Sequence, residues 1–176
     1  METFNHNNGQ PNDSVFTPEQ SQDRDIVLAA VREDGFALKE ASLQLQNDIE
    51  VVLAAVQQDG FAIMHASPEL QRNRDVIFAA INQEGMVLKQ MSRESRADAK
   101  LVLTAVQNEP FAIAYAAPKL LADATFVLSV LKITPLVIVY ADKILKQDID
   151  FLAQAVLVNK DILVHLSDDM QLQLKG

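Results

Sequence analysis

The sequence repeats itself every 25 residues without an insertion. Six copies of one apolar segment follow one another: DIVLAAV, EVVLAAV, DVIFAAI, KLVLTAV, TFVLSVL and DFLAQAV. A fixed period of this length is the signature of a solenoid, in which each unit buries its apolar side against its neighbours. The predicted repeats are residues 23–47, 48–72, 73–97, 98–122, 123–147 and 148–172.

The spacing of apolar residues within a repeat favours helices over strands. Val27, Ala30 and Val31 lie on one helical face, and the Ala-rich centre of the segment favours the same structure. Leucine-rich repeats of similar length need an L-x-x-L-x-L strand, which is absent. An Asp or Asn that can cap the first helix precedes it in every repeat. These caps are Asp23, Asp48, Asn73, Asp98, Asp123 and Asp148. We predict an all-α fold, a right-handed or superhelical α-solenoid of six helix–turn–helix repeats.

Each repeat should contain a helix of about three turns, a corner, a second helix of about two turns and a short turn. The corner column holds Gly35, Gly60, Gly85, Pro110, Pro135 and Lys160. A glycine alone is compatible with a left-handed cap of the first helix. Proline cannot adopt positive φ and instead favours the first position of the second helix. The predicted caps of that helix are Asp34, Asp59, Glu84, Glu109, Thr134 and Asn159, and those of the short turn are Ser42, Ser67, Ser92, Asp142 and Ser167.

The two ends of the sequence differ from the repeats. Residues 1–22 are rich in Asn, Gln and Pro and contain no Lys or Arg. We expect a flexible polar tail without a secretory signal. Thr17-Pro18-Glu19 resembles Ser67-Pro68-Glu69, as the remnant of an earlier repeat would, and residues 173–176 form the C-terminal end. The most apolar stretch, residues 126–140, is shorter than the roughly 20 residues of a membrane helix. We therefore expect a cytoplasmic protein that does not enter a membrane.

Three strings of the second repeat and its surroundings are similar to a known family. They are EVVLAAV, Gln57-Gln58-Asp59-Gly60-Phe61-Ala62 and Ala66-Ser67-Pro68-Glu69-Leu70. They resemble the helical repeats called domain of unknown function 4116, with two repeats per family domain and the strongest similarity in the first three repeats. Such repeats are common in effectors that intracellular bacterial pathogens inject into host cells. The resemblance implies a helical binding array, either an injected effector or a partner of one, and it implies no catalytic residues.

Composition and spacing argue against several kinds of chemistry. The sequence has no Cys, which excludes a thiolate metal site. Its 24 acidic and 15 basic residues give a net charge of −9, which disfavours nucleic acid as a partner. Capping carboxylates of neighbouring repeats, about 8–10 Å apart, are too distant to share a metal ion. His65 and His165 lie four repeats apart. We expect no enzyme activity, cofactor or metal.

One column of larger polar side chains is a candidate groove. It contains Glu40, His65, Gln90, Tyr115, Tyr140 and His165. In an α-helix this column lies one turn after the Phe36, Phe61, Met86 and Phe111 column, on the same flank. One interpretation is packing between repeats, with the polar tips in water. The other is a groove, lined by His65, Tyr115, Tyr140 and His165, that holds a peptide or a protein loop.

The last two repeats become apolar at positions that are mostly polar earlier. The residues concerned are Ile133, Val139, Leu157, Val158 and Val164. Exposed contiguous apolar surface marks an interface, and a twofold homodimer is its simplest form. The alternative is that residues 167–176 fold over these side chains as a lid.

Three functional hypotheses are consistent with these observations. The first is a non-enzymatic module that binds another protein through the interface above, with a basic partner surface favoured by the acidic charge. The second is a stoichiometric inhibitor that covers the active site of an enzyme. The third is a structural module that associates only with itself.

Overall fold

The computed structural model describes residues 14–174, in which the regular secondary structure is entirely helical. The first helix of each repeat is an α-helix. The six are Arg24–Glu33, Ile49–Gln58, Arg74–Gln83, Ala99–Asn108, Ala124–Leu131 and Ile149–Val158. Each follows its predicted cap; Asp23, for example, accepts hydrogen bonds from the backbone N–H groups of Asp25 and Ile26 at 3.0 and 3.1 Å. The all-α class and these caps are confirmed. None of the described helices is long and apolar enough to cross a membrane.

The second helix of a repeat is tighter than the predicted α-helix. In five repeats it is a six-residue 3₁₀ helix: Gly35–Glu40, Gly60–His65, Gly85–Gln90, Pro110–Tyr115 and Lys160–His165. The fifth repeat instead has the α-helical turn Val137–Tyr140. A 3₁₀ helix rises about 2.0 Å per residue, so six residues span about 12 Å, close to the roughly 15 Å of a ten-residue α-helix. The tighter form lets a short segment return along most of the long helix.

The repeat ends in a short turn that redirects the chain. It is a 3₁₀ turn in Leu45–Asn47, Leu70–Arg72, Ser95–Ala97 and Leu145–Gln147, and an α-helical segment in Pro118–Leu121 and Asp168–Gln173. The predicted third caps are present; Ser67 Oγ, for example, accepts from the N–H of Leu70 at 3.2 Å. Of the predicted caps of the second helix, only Glu84 makes no such bond.

The repeats are stacked in chain order. All substantial contacts between elements lie within one repeat or between adjacent repeats. Val27 and Leu38 and their counterparts in repeats 2–5 are buried in one continuous core. Backbone hydrogen bonds also join the turns, since the N–H of Ser67 donates to the carbonyl of Gln46 at 2.8 Å. Stability should therefore depend on contacts between nearest neighbours. The handedness and superhelical path of the stack remain predictions.

The corner glycines are needed for close packing and not for positive φ. No described residue has positive φ, so the left-handed cap considered for this column is wrong. A Cβ on Gly60 would lie 2.5 Å from the carbonyl oxygen of Ala80 in the next repeat. Gly35 and Gly85 meet the next repeat in the same way, at 2.6 and 2.5 Å. The glycines therefore allow the long helix of the following repeat to approach the corner.

The segment before the first repeat is partly ordered, in contrast to the predicted flexible tail. Phe16 is buried in the core, and Gln20–Gln22 forms a 3₁₀ turn that contacts the first long helix. The N–H of Ser42 donates to the carbonyl of Ser21, the same bond that joins later turns. Residues 17–22 thus occupy the place of a preceding repeat's last turn, as the similarity to residues 67–69 suggested. Residues 1–13, and residues 175–176 of the predicted C-terminal end, lie outside the described residues.

Candidate interaction surface

Three positions in each repeat are exposed in all six repeats. In the first repeat they are Arg32 and Glu33 at the end of the long helix and Lys39 on the 3₁₀ helix. The apolar residues at these positions in repeats 5 and 6 form what we call the apolar patch: Ile133 (36% exposed), Val139 (46%), Leu157 (87%), Val158 (38%) and Val164 (79%). These positions are also exposed in repeats 1–5, each of which is followed by another repeat. The exposure is therefore a property of the position and not of the end of the stack.

The segment after the last 3₁₀ helix does not cover the apolar patch. Ser167 caps the helix Asp168–Gln173, and Met170 and Leu174 pack against the core. With this helix in place, Leu157 and Val164 are still largely exposed. The lid alternative is therefore wrong for residues 167–174.

Polar side chains at the end of the long helix bridge neighbouring repeats in the first part of the stack. Gln58 Oε1 accepts from the N–H of Gly35 at 2.6 Å, and the side-chain amide of Asn108 donates to the carbonyl of Asn82. Ile133 and Val158 occupy the same position in repeats 5 and 6 and cannot make such bonds. The joint between repeats 5 and 6 is bridged from the next residue, since Asn159 Nδ2 donates to the carbonyl of Leu131 at 2.9 Å. Val158 is therefore not needed to bridge this joint.

The candidate groove column makes contacts between repeats. The ring of His65 meets the ring of Phe36 edge-on, with centroids 5.6 Å apart, and Lys89 Nζ lies 5.8 Å from the centre of the Tyr115 ring. Tyr140 is half-buried and packs against the core, whereas His165 is exposed. The packing interpretation thus accounts for His65 and Tyr115.

The sequence predicted that Glu40 and its counterparts lie on the same helical flank as the Phe36 column. This prediction is wrong. At three residues per turn, residue 39 follows residue 36 on the same face, and residue 40 is rotated by about 120°. Glu40 instead contacts the segment before the first repeat: its carboxylate accepts from Ser14 Oγ at 2.7 Å and from the N–H of Val15. These hydrogen bonds lower the pKa of Glu40.

The 3₁₀ helices carry a further apolar row, whose first four residues form one column of the sequence but whose exposure was not predicted. Each repeat places at least one large apolar side chain on the outer face of its second helical segment. We call this row the stripe: Phe36, Phe61, Met86, Phe111 and Leu136 at one position of repeats 1–5, and in repeat 6 Val164, three residues after Asp161, which holds that position. Phe111 is 60% exposed and Phe36 39%, while Phe61, Met86 and Leu136 are half-buried. The signal for this exposed row is the i, i+3 spacing of a 3₁₀ helix, and it is not seen when the segment is interpreted with α-helical periodicity.

Carboxylates border the stripe in the first four repeats. We call them the corner carboxylates: Asp34, Asp59, Glu84 and Glu109. Three of them accept a hydrogen bond from the N–H of a stripe residue: Asp59 from Phe61 at 2.8 Å, Asp34 from Phe36 at 2.9 Å and Glu109 from Phe111 at 3.2 Å. In repeats 5 and 6 the same positions hold the neutral residues Thr134 and Asn159.

Ion pairs join neighbouring repeats at two joints, at the opposite ends of the long helices. Asp48 caps its own helix with one oxygen and pairs with Arg24 of the previous repeat through the other, at 2.8 Å. Arg74 and Asp98 form the same arrangement two repeats further along the chain. The arginine partner lowers the pKa of each aspartate, and Arg24 also pairs with Glu50. The capping aspartates therefore stabilise both their own helix and a joint.

The described residues form no group of three His, Asp or Glu side chains that could bind one metal ion. His65 and His165 are in repeats 2 and 6, with three repeats between them. Fold and surface together define an all-α stack of helical repeats with an exposed apolar face.

Comparison with protein families agrees with this description. The family model described as Domain of unknown function (DUF4116) matches residues 23–71 and 123–171, which together are more than half of the chain. The chain belongs to this family. Each match covers two repeats, and the second includes the last two, where the resemblance was expected to be weaker. No curated protein and no solved structure matches the chain.

Proposed function

We propose that the protein is a non-enzymatic interaction module and that the apolar patch binds another protein. The observation that carries this proposal is the exposure of Leu157 and Val164, at 87% and 79%, beside three further apolar side chains. Large exposed apolar clusters on a soluble protein are costly in water and are typical of binding surfaces.

The residues around the patch support a protein partner. The six exposed positions of repeats 5 and 6 that define the patch hold its five apolar residues and Lys132 but no acidic residue, although the whole chain has a net charge of −9. Ile133 and Val158 have given up the bridging role that Gln58 and Asn108 perform earlier in the stack. A partner that buried these side chains would gain roughly 25 cal/mol for each Å² of apolar surface removed from water.

Self-association is the second candidate function. An uncharged patch is the place where two copies of an acidic chain can meet with the least repulsion. A twofold dimer would place the patch of one copy against that of the other. The inhibitor hypothesis is a special case of heterologous binding, and a role as an injected effector is proposed from the family resemblance alone.

The test compares a patch variant with a matched control. The patch variant is I133D/L157D/V158D, and the control is Q57D/N82D/Q107D, which places the same charges at exposed positions of repeats 2–4. We expect the patch variant to lose association, because aspartate is strongly disfavoured in an apolar contact. The control should associate as the parent does, and both should keep their helicity.

Two measurements separate the candidate functions. Light scattering gives the mass of the purified protein, and affinity capture with parent, patch variant and control identifies proteins lost only with the patch variant. A dimer lost in the patch variant would favour self-association. If both readouts of the patch variant match those of the parent, the patch is not the interface.

A further inference from the structure

We propose that the stripe is the docking site of an amphipathic α-helix of a partner protein, with basic residues along one edge of its apolar face. The inference rests on the proposed function, because it names the kind of partner that the interaction module binds. It adds repeats 1–4 to the contact surface, and it meets the apolar patch at Val164.

The stripe runs along the whole stack. Residues three apart in a 3₁₀ helix point to the same side, so Met64 and Val139 lie on the same face as the stripe and widen it. They are 42% and 46% exposed. With neighbouring repeats about 8–10 Å apart, the six repeats offer an apolar row of roughly 40–50 Å. A single side chain or a tight loop would use only a small part of this length.

The spacing of the row suits an α-helix better than an extended chain. Residues seven apart in an α-helix lie on nearly the same face and are separated by about 10.5 Å, close to the spacing of one repeat. In an extended chain a step of about 10 Å is three residues, and side chains three apart point to opposite sides. A helix can therefore place one apolar residue on each repeat, whereas a strand cannot.

The charged residues beside the stripe indicate which charges the partner helix should carry along its edge. The corner carboxylates border it in repeats 1–4, and three of them are hydrogen-bonded to stripe residues. Two lysines lie on the face of the stripe, three residues after Phe36 and Met86: Lys39 Nζ lies 3.6 Å from Glu40, and Lys89 lies over the Tyr115 ring, which leaves its charge in place. The four corner carboxylates outnumber these two lysines, so an incoming helix meets net negative charge along the corner edge, where Lys or Arg would be favoured.

A second copy of the chain fits this surface less well than such a helix. Each copy has a net charge of −9 and would bring its own corner carboxylates towards those of the first. Juxtaposed like charges disfavour an association. A basic helix from another protein avoids this repulsion.

The test uses synthetic peptides of about 28 residues, or four heptads, with the full-length protein. One peptide has leucines at the a and d positions of each heptad and lysines along one edge. A second has the same composition with scrambled order, and a third has glutamate in place of lysine. We expect binding of the first peptide alone, measured by fluorescence anisotropy, and an affinity that falls as salt is raised.

A pair of charge variants locates the site. D34N/D59N/E84Q/E109Q removes the four corner carboxylates. Asn caps a helix as well as Asp, Glu84 makes no capping bond, and the amide oxygen introduced by E109Q can still accept from the N–H of Phe111. The control D25N/E69Q/D75N/D150N removes four exposed carboxylates elsewhere. We expect the corner variant to bind the first peptide about tenfold more weakly with a smaller salt dependence, and the control to bind like the parent. Circular dichroism should show that both variants are folded.

Several results would overturn the inference. These are equal binding of the scrambled or glutamate peptide, equal weakening by the control variant, and a dimer of the chain that excludes the first peptide. Such results leave the proposed function intact if I133D/L157D/V158D still loses its partner. Conversely, if the first peptide binds as expected and I133D/L157D/V158D loses no partner, the apolar patch is not the interface. The stripe is then still supported as a docking site.

Discussion

The corner between the two helices is built differently in the third and fourth repeats. Gly85 is buried, and its Cα is so close to the carbonyl of Ala105 that no side chain fits. Pro110, at the same position one repeat later, is exposed. The repeat that follows Pro110 has a long helix that ends at Leu131, two residues earlier than its counterparts in repeats 1–4. The close approach of the next repeat therefore selects glycine at Gly85; Pro135, in the same column, is followed by a long helix of full length, Ile149–Val158.

The polar and apolar parts of the surface separate one repeat later, between repeats 4 and 5. Joints between the early repeats are held by bridging amides and by Arg–Asp pairs, so the ends of their long helices are polar. The joint between repeats 5 and 6 is bridged by Asn159, and Ile133 and Val158 are left exposed. The polar bridge of a joint can thus lie one residue further along the chain, which leaves the preceding position open to an apolar residue.

The largest effect should come from Gly60→Ala. The added Cβ would lie 2.5 Å from the carbonyl oxygen of Ala80 and 2.8 Å from Glu84 Cβ, so two repeats must separate. We expect a loss of about 3 kcal/mol in the free energy of unfolding, measured by chemical denaturation, despite the better helix propensity of alanine. A loss below about 1 kcal/mol would show that the two repeats can separate at little cost. Their close approach would then not explain why glycine occupies this column.

A smaller effect is expected at the ion pairs, which occur at the joints after repeats 1 and 3. Because the pKa values of Asp48 and Asp98 are lowered in the folded protein, their stabilisation is present above their ordinary value of 3.8 and is lost as the pH falls through the folded-state values. D48N/D98N keeps the caps and should cost about 1 kcal/mol at pH 7, since the pairs are partly exposed.

The pH profile of unfolding provides the check on this prediction. As the pH is lowered from 5 to the lowest value measured, the free energy of unfolding should fall more for the parent than for D48N/D98N. The matched substitution D123N/D148N keeps two caps that have no arginine partner and should leave the difference in the free energy of unfolding between pH 7 and pH 3 nearly as in the parent. Parallel profiles for D48N/D98N and the parent would contradict a role of the pairs at the joints.

The smallest effect should be that of Pro110→Gly. The proline is exposed at the first position of its 3₁₀ helix, where it has no N–H to lose and mainly restricts the unfolded chain. We expect a loss of only about 1 kcal/mol in denaturation, well below that of Gly60→Ala in the same column. Collapse of the fold would mean that the two corners are not built differently after all.

Much of the fold could be predicted because it is local and repeated. The caps at Asp23 and its counterparts, and at Ser67, are satisfied by N–H groups two or three residues away, so sequence alone locates them. The apolar patch was also predictable, since a change of polarity at fixed positions is visible in the letters. The column of Phe36, Phe61, Met86 and Phe111 is visible in the letters too, but its exposed row was not predictable, because 3₁₀ and α-helical segments of six residues have nearly the same composition.

The sequence by itself determined the period, the helical class, the caps and the positions that turn apolar, because each depends on residues within one or two turns. Only the tertiary structure decided why the corner needs glycine, which side chains bridge the joints and that Phe16 belongs to the core. These properties depend on atoms 20 or more residues apart along the chain, such as Gly60 and the carbonyl of Ala80. Their distance is set by how closely two repeats can pack, and no local pattern contains that information.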